Sequence, residues 1–425
     1  VNIPDVYEAE GFDFRGPRQY DAATGYRSQS MLVAPMKNFE DDTIGVLQLL
    51  NAKGGEGGAV VPFSSDFEAM ITSLASQAAV AITNARLIDD LQNLFDAFIQ
   101  SIAAAVDEKS PYTAGHVRRV ADLTMSIAAE INRTETGLWG KIRFTEDELT
   151  ELRLAAWMHD VGKITTPEYV VDKATKLETI HDRIETVRAR YEVLKRDAEI
   201  AALQKSPGEA AGPESDLVGA GVDGKPLEEA LEELRNECEF IVQCNTGGEF
   251  MADEDVARLG EIASRSYEAD GKELPVITEN EVYNLSIRKG TLTAEELGIM
   301  HNHAAVSVRM LSQLPFSKKL RRVAEFAGGH HETLNGKGYP GGLTAEALPL
   351  QARILAVADI FEALTASDRP YRRLMPLSLA LKIIRENVER GELDGEIVDL
   401  FMESGLVHAY AERELSQGQI DVEAP

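Results

Sequence analysis

The sequence predicts a multidomain chain: an α+β segment at the N-terminus, a long connecting helix, and an all-α domain carrying a helical insertion. Three observations lead there. Two aliphatic, β-branched runs lie between positions 31 and 53, separated by a polar turn. A stretch of about forty residues after Ser65 holds no strong Pro or Gly breaker. From Ser110 onward, apolar residues recur at helical spacing between polar stops. At 425 residues there is room for two or three domains, each with its own core.

The strands are "SMLVAPM" and "TIGVLQLLNA", with "KNFEDD" as the turn between them. Ser65 followed by Glu68 is a capping-box signature, which starts a helix near Asp66. Leu87, Leu91, Leu94 and Phe98 continue at four-three-four spacing, the seam of paired helices. Such a helix either packs on its own domain or pairs in parallel as a signalling helix joining two domains. The second reading is favoured, because the pattern runs past any N-terminal domain of plausible size. Further on, "HDRIETVRARYEVLKRDAEIAALQK" (181–205) and "LEEALEELRNECEFIVQ" flank a Gly/Pro-rich stretch (206–226) and read as a helical hairpin.

Hydrophobic content of 44% and charged content of 27% are those of a soluble globular protein. There is no apolar run of bilayer length and no basic-then-apolar secretory start. The chain opens on Val1 rather than Met, so an N-terminally truncated fragment stays open. Cys238 and Cys244 lack the C-x-x-C spacing and read as reduced thiols of a cytoplasmic protein. A net charge of -28 argues against a nucleic-acid polymer as partner. A small anion binds such a surface only where metals or a few Lys and Arg residues reverse the local field.

The candidate chemistry lies in the histidines. Of eight, five fall in segments of shared character: His116, His159, His303, His330 and His331. Asp359 sits inside an apolar helix face, "ILAVADIFEALT", and Asp160 follows "LAAWMH". A buried carboxylate is costly unless paired or bound to a cation. Imidazoles and carboxylates without thiolates suit first-row divalent metals: Fe or Mn foremost, with Zn, Co and Ni open. Paired ions bridged by a carboxylate are built for hydrolysing phosphate esters. Lys163, four residues past His159, is expected one helical turn further along on the same face. Arg369 and Arg372 offer forked contacts to phosphate. His181, His301 and His408 read as solvated or ordinary helix positions.

"HDVGKI" with "HHETLNGKGYP" resembles the HD-GYP branch of the HD phosphohydrolase superfamily. "SPYTAGH", "LPLQARILAVADIFEALT" and "DRPYR" agree, and the likeness covers roughly 100–172 and 289–390. The resemblance implies an all-helical domain that holds two or three metal ions and hydrolyses cyclic di-GMP to pGpG or onward to GMP. It implies His116, His159, Asp160, His303, His330, His331 and Asp359 as metal ligands, with Asp160 bridging. It places Lys163 at the substrate phosphate or the bridging hydroxide, makes Arg369 and Arg372 phosphate ligands, and makes Gly338, Tyr339 and Pro340 the signature loop.

The first 88 residues resemble the C-terminal half of a GAF domain, through "TGYRSQSMLVAPM", "IGVLQLLNA", "FSSDFE" and "LASQAAVAITNARL". Asn51, Lys53, Phe63, Asp66 and Glu68 are similar to a pattern of cyclic-nucleotide-binding members, so a small-molecule ligand and a purely dimerising role both stay open. The expected organisation is a partial GAF-like sensor (1–88), a signalling helix (66–108), an HD-GYP domain (100–173 and 289–390), a helical insertion (174–288) and a C-terminal helical tail (391–425).

Three departures matter. Tri-metal members carry Glu where this chain has Tyr112, so two metals are expected. Asn335 stands where Asp is common, suggesting a missing charge beside the ligands. The insertion is too long for a structureless loop and must have structure of its own; capping the site, dimer contacts and partner binding all remain open for it. The leading expectation is a homodimeric cyclic di-GMP phosphodiesterase governed by its N-terminal sensor. The alternatives are hydrolysis of another cyclic dinucleotide or nucleotide, and a non-catalytic module presenting the GYP loop to a protein partner.

Overall fold

A computed structural model describes residues 1–425 apart from 56–57, 110–114, 205–220, 223–224, 248–249, 367–373 and 423–425. It divides into two units, Val1–Phe98 and Ile99–Pro425. No helix among the described residues is long and apolar enough to cross a membrane.

In the first unit, β1 (Asn2–Ile3), β2 (Met31–Lys37) and β3 (Thr43–Leu50) form an antiparallel sheet in that order. Met31 lies opposite Leu50 and Ala34 opposite Leu47, with a register shift at Met36/Lys37. α1 (Arg15–Thr24) precedes β2, and a two-residue ladder, β4 (Lys53–Gly54) with β5 (Ala59–Val60), follows β3. Leu32 and Ala34, alternate residues of β2, pack against Phe63 and against Ile71 and Ala75 of α2 (Ser65–Asp107). α2 is 43 residues long. Its cap is one residue earlier than the sequence suggests. Ser64 Oγ accepts from Phe67 N at 3.2 Å, whereas the Glu68 carboxylate turns away to Asn2 Nδ2 at 3.1 Å.

Asn51 is a turn residue here, at φ 56°. Its amide is committed to backbone, accepting from Gln29 N and donating to the Arg27 carbonyl, both at 2.7 Å. Phe63 is core. Much of the nucleotide-like pattern thus serves local structure.

The second unit is helical. α3 (His116–Arg133) buries Val117, Val120, Ala121, Thr124, Ile127, Ala128 and Ile131, a stripe at helical spacing. It packs on α4 (Glu146–Met158), started by a Thr145–Glu148 capping box, and on α12 (Leu350–Thr365). Short α5 (Glu168–Val171) follows a 3-10 turn at Val161–Thr165. α10 (Ala294–Leu311) packs on that turn, and α11 (Val323–Gly328) packs on α10 and α4. α13 (Leu377–Glu389), α14 (Gly395–Glu403) and α15 (Leu406–Glu414) close the core, where Phe361 meets Phe401 and Tyr410 edge-on at 4.9 and 5.4 Å.

Between the halves of this core stand α6 (Ile184–Gln204), α7 (Leu227–Asn245), α8 (Asp253–Ala263) and α9 (Glu279–Leu285). They enclose a separate apolar cluster that includes Val187, Tyr191, Ile241, Leu259, Val276 and Leu285. A small ladder, β6 (Gly221–Val222) with β7 (Lys225–Pro226), precedes α7. A hairpin of β8 (Ser266–Ala269) and β9 (Lys272–Pro275) turns at Asp270-Gly271, both with positive φ. That Asp-Gly signal is present in the sequence, which the helical reading of this region passed over.

Candidate metal centre

The ligand candidates come from elements far apart in sequence. His116 opens α3, His159 and Asp160 sit between α4 and the 3-10 turn, and His303 lies in α10. His330 and His331 follow α11, and Asp359 occupies the middle of α12. The structure brings all of them together. His159, His330, His303 and Asp160 are 0%, 1%, 2% and 3% exposed.

Close packing at Gly162 sets the arrangement. A Cβ there would lie 2.7 Å from Ser307 N and closer still to the His303 carbonyl. Only Gly lets the turn lie this close to α10. Ser307 Oγ ties the two by accepting from Gly162 N at 2.9 Å and donating to the His159 carbonyl at 2.8 Å.

His159, His303 and His330 share one device. Each sets Nδ1 on the carbonyl three residues earlier: Ala156 at 2.7 Å, Met300 at 2.6 Å and Ala327 at 2.5 Å. A carbonyl only accepts, so Nδ1 carries a proton, and in the neutral ring Nε2 keeps the lone pair. The Nε2 atoms of all three, and Asp160 Oδ1, are buried without a hydrogen-bond partner. Orphaned buried acceptors are costly, and four of them converging are what a cation would satisfy.

Asp160 is the hub. Its Oδ1 lies 3.3 Å from His303 Nε2 and 3.9 Å from His330 Nε2. Its Oδ2 lies 3.3 Å from His159 Nε2, 3.4 Å from His116 Nε2 and 2.5 Å from Lys163 Nζ. Asp359 Oδ1 stands 3.3 Å from His116 Nε2 and 3.7 Å from His159 Nε2. Two groups able to hold a metal ion result: His116 with His159 and Asp160, and His303 with His330 and His331. The donors are imidazoles and carboxylates alone, which fits divalent first-row ions.

Electrostatics separate the two groups. Burial disfavours the charged form of His116, but the carboxylates of Asp160, Asp359 and Glu362 outweigh it and hold its pKa well above the ordinary value. Burial pushes His331 down to about 4, and it also lowers His303 and His330. Asp160 resists burial through Lys163 and the imidazoles, and stays well below the usual carboxylate range. Asp107, the last residue of α2, is pushed up to about 6 by burial, with His116 working the other way.

Several sequence expectations need correction. Lys163 does not continue the α4 face, because α4 ends at Met158; the 3-10 turn brings its ammonium to Asp160 instead. Asn335 shapes the loop rather than the ligand surroundings. Its Oδ1 accepts from Lys337 N at 3.0 Å and its Nδ2 donates to the Arg390 carbonyl at 2.9 Å, a bond Asp could not make. His301 is no ordinary helix position either, since it stacks on Tyr339 at 4.0 Å and 16°. Tyr339 in turn packs on His331 at 4.8 Å.

The signature loop is fixed by Gly338, whose Cβ would meet Glu332 Cα at 2.5 Å, and by Glu332, which accepts from Gly341 N and Leu343 N. Pro340 follows through a cis peptide bond and is exposed. Arg369, Arg372 and Tyr112 lie outside the described residues.

Glu362 was missed from sequence. It is buried, meets His116 Nδ1, and takes Arg119 Nε at 2.6 Å. The signal was present: a second carboxylate three residues after Asp359 on the same apolar helix.

Two HD-domain family models match the chain, over residues 113–234 and 277–397, and a GAF-domain model matches residues 1–82. The chain is therefore an HD-domain protein with a GAF domain at its N-terminus. Its relatives include 3'3'-cGAMP-specific phosphodiesterase 1 of Vibrio cholerae, 40% identical over 115 residues, 27% of this chain and 26% of that protein. The cyclic di-GMP phosphodiesterase response regulator RpfG of Xanthomonas campestris is 38% identical over 117 residues, 27% of this chain and 30% of that protein. The cyclic di-GMP phosphodiesterase of Thermotoga maritima is 39% identical over 116 residues, 27% of this chain and 31% of that protein. The chain thus matches between 26% and 31% of the length of these relatives.

Proposed function

We propose that this protein is a metal-dependent phosphodiesterase that hydrolyses cyclic di-GMP to pGpG or GMP, under control of its GAF domain. The observation that carries the reading is the convergence of three unpartnered imidazole Nε2 atoms on Asp160. Two divalent ions, Fe or Mn foremost with Zn, Co and Ni open, would be held by His116, His159 and Asp359 on one side and by His303, His330 and His331 on the other. Asp160 faces both groups. Ions bound there supply Lewis-acid polarisation of a phosphodiester.

The chain's own residues do the rest. The Lys163 ammonium, paired with Asp160, places a fixed positive charge beside the site for a phosphate oxygen. Arg369 and Arg372 are assigned to the remaining phosphate oxygens. Glu362 orients His116, and Tyr339 braces His331. These cations and metals reverse, locally, the repulsion that a net charge of -28 exerts on a dinucleotide.

Leu87, Leu91, Leu94 and Phe98 are each more than half exposed on α2, which supports a parallel homodimer. Free Cys238 and Cys244 suit a reducing, cytoplasmic setting.

A second substrate has specific support, because three relatives are named 3'3'-cGAMP-specific phosphodiesterases. The metal-loaded protein, assayed under anaerobic reducing conditions with cyclic di-GMP and 3'3'-cGAMP, separates the readings by kcat/KM. Loss of neither substrate, or turnover that persists in Asp160→Ala, overturns the enzyme reading.

A further inference from the structure

α2 ends at Asp107, with Ile99, Ala103 and Val106 of its last turns buried. Two residues later the Lys109 ammonium donates to three carbonyls of one short segment: Lys163 at 3.1 Å, Ile164 at 2.7 Å and Thr166 at 2.6 Å. An ammonium has three N–H donors, and each finds an acceptor. The first two carbonyls lie at the C-terminal end of the 3-10 turn Val161–Thr165 and the third on the residue that caps it, where backbone dipoles leave partial negative charge. The other side of the turn is tied to α10 through Gly162 and Ser307. The turn carrying Lys163 is therefore held from two directions, one of them the segment that leaves α2.

We propose that Lys109 is a positioning residue: it fixes the backbone from which Lys163 reaches Asp160, and so joins the end of the long helix to the ammonium at the metal centre. This rests on the assignment of Lys163 to the substrate phosphate. Lys109 is not a metal-ligand candidate, and its contacts are backbone carbonyls alone among those described. Its removal should therefore disturb the turn without removing a ligand.

The test uses the full chain. In Lys109→Met the side chain keeps its length and loses its donors. Kcat should fall by ~10-fold or more, while KM and bound metal change by less than about twofold, since a misplaced group costs rate at unchanged ligand count. Amide hydrogen exchange over 161–166 should quicken, with α3 and α4 unchanged. Lys109→Arg, which keeps the charge and several donors, should recover most of the rate and the protection. If Lys109→Met does not fold, Lys109→Gln serves with the same expectations. Wild-type kcat with unchanged exchange overturns the proposal, as does a rate loss that follows metal loss. If the wild-type protein hydrolyses no cyclic dinucleotide, the proposed function fails, and exchange at 161–166 alone decides Lys109.

Discussion

Replacing Gly162 with Ala adds one methyl group at the tightest point of the candidate centre. The new carbon would stand 2.7 Å from Ser307 N, against 3.4 Å for ordinary contact, so α10 and the turn must part by at least about 0.7 Å there. The atoms met first are backbone, which no rotamer change can move aside. Overpacking of this kind costs ~1–3 kcal/mol. Stretching the Gly162–Ser307 hydrogen bond adds about 1 kcal/mol. The expected loss is therefore ~2–4 kcal/mol in denaturant unfolding, read as a lower midpoint at constant slope.

A second consequence is specific to the site. His303 rides on α10 at 3.3 Å from Asp160, so its Nε2 withdraws from the shared carboxylate as the helix moves. Metal affinity should fall by ~10-fold or more, as for perturbed surroundings of ligands elsewhere. Unfolding curves and metal analysis after dialysis against a weak chelator measure both effects. A Gly162→Ala protein with the wild-type midpoint and full metal content would refute this account of how the turn and α10 fix the centre.

Other expectations concern the same groups. Glu362→Gln removes the carboxylate that orients His116 and partners Arg119, and should weaken metal binding by ~10–100-fold at the His116 group, measured by competition with a chelator. Proton release separates the two groups. Against burial, neighbouring carboxylates hold His116 and His159 above the ordinary imidazole value, whereas burial pushes His331 down to about 4 and lowers His303 and His330. Filling both groups should release at least one proton, read by calorimetry in buffers of different ionisation heat; no release would contradict the assignment.

In the metal-free protein the same shifts act on stability with opposite signs. The His331 contribution is complete above its unfolded value and is lost as pH falls toward about 4. That of His116 is present below its unfolded value and is lost as pH rises through its elevated one. Finally, Leu91→Glu together with Leu94→Glu places charge in the exposed α2 seam and should yield a monomer by light scattering; an unchanged mass would remove the seam from dimerisation.

Local signals carried much of this protein. Strands β2 and β3, the unbroken α2, and the helices α6 and α7 follow from periodicity and turn residues, which act over a few residues and are written in the chain. The ligand types were legible for a related reason: an Asp within an apolar helix face, or adjacent imidazoles before a Gly-rich loop, contradict their own surroundings unless something compensates them. Where reading went wrong, a short-range rule met a tertiary competitor. The Ser65 capping box lost to Ser64 because Glu68 found Asn2. The α-helical placement of Lys163 lost to a 3-10 turn pressed against α10.

The amino-acid order by itself pointed to side chains whose chemistry suits a metal, in surroundings that leave them uncompensated. Only the packed fold decided that Asp160 stands between two sets of imidazoles, that Glu362 lies behind His116, that His301 stacks on Tyr339, and that Lys109 grips the turn of Lys163. Helix periodicity depends on neighbours three and four residues away, whereas these contacts join segments from 38 to 246 residues apart, whose meeting is set by the shape of a shared core.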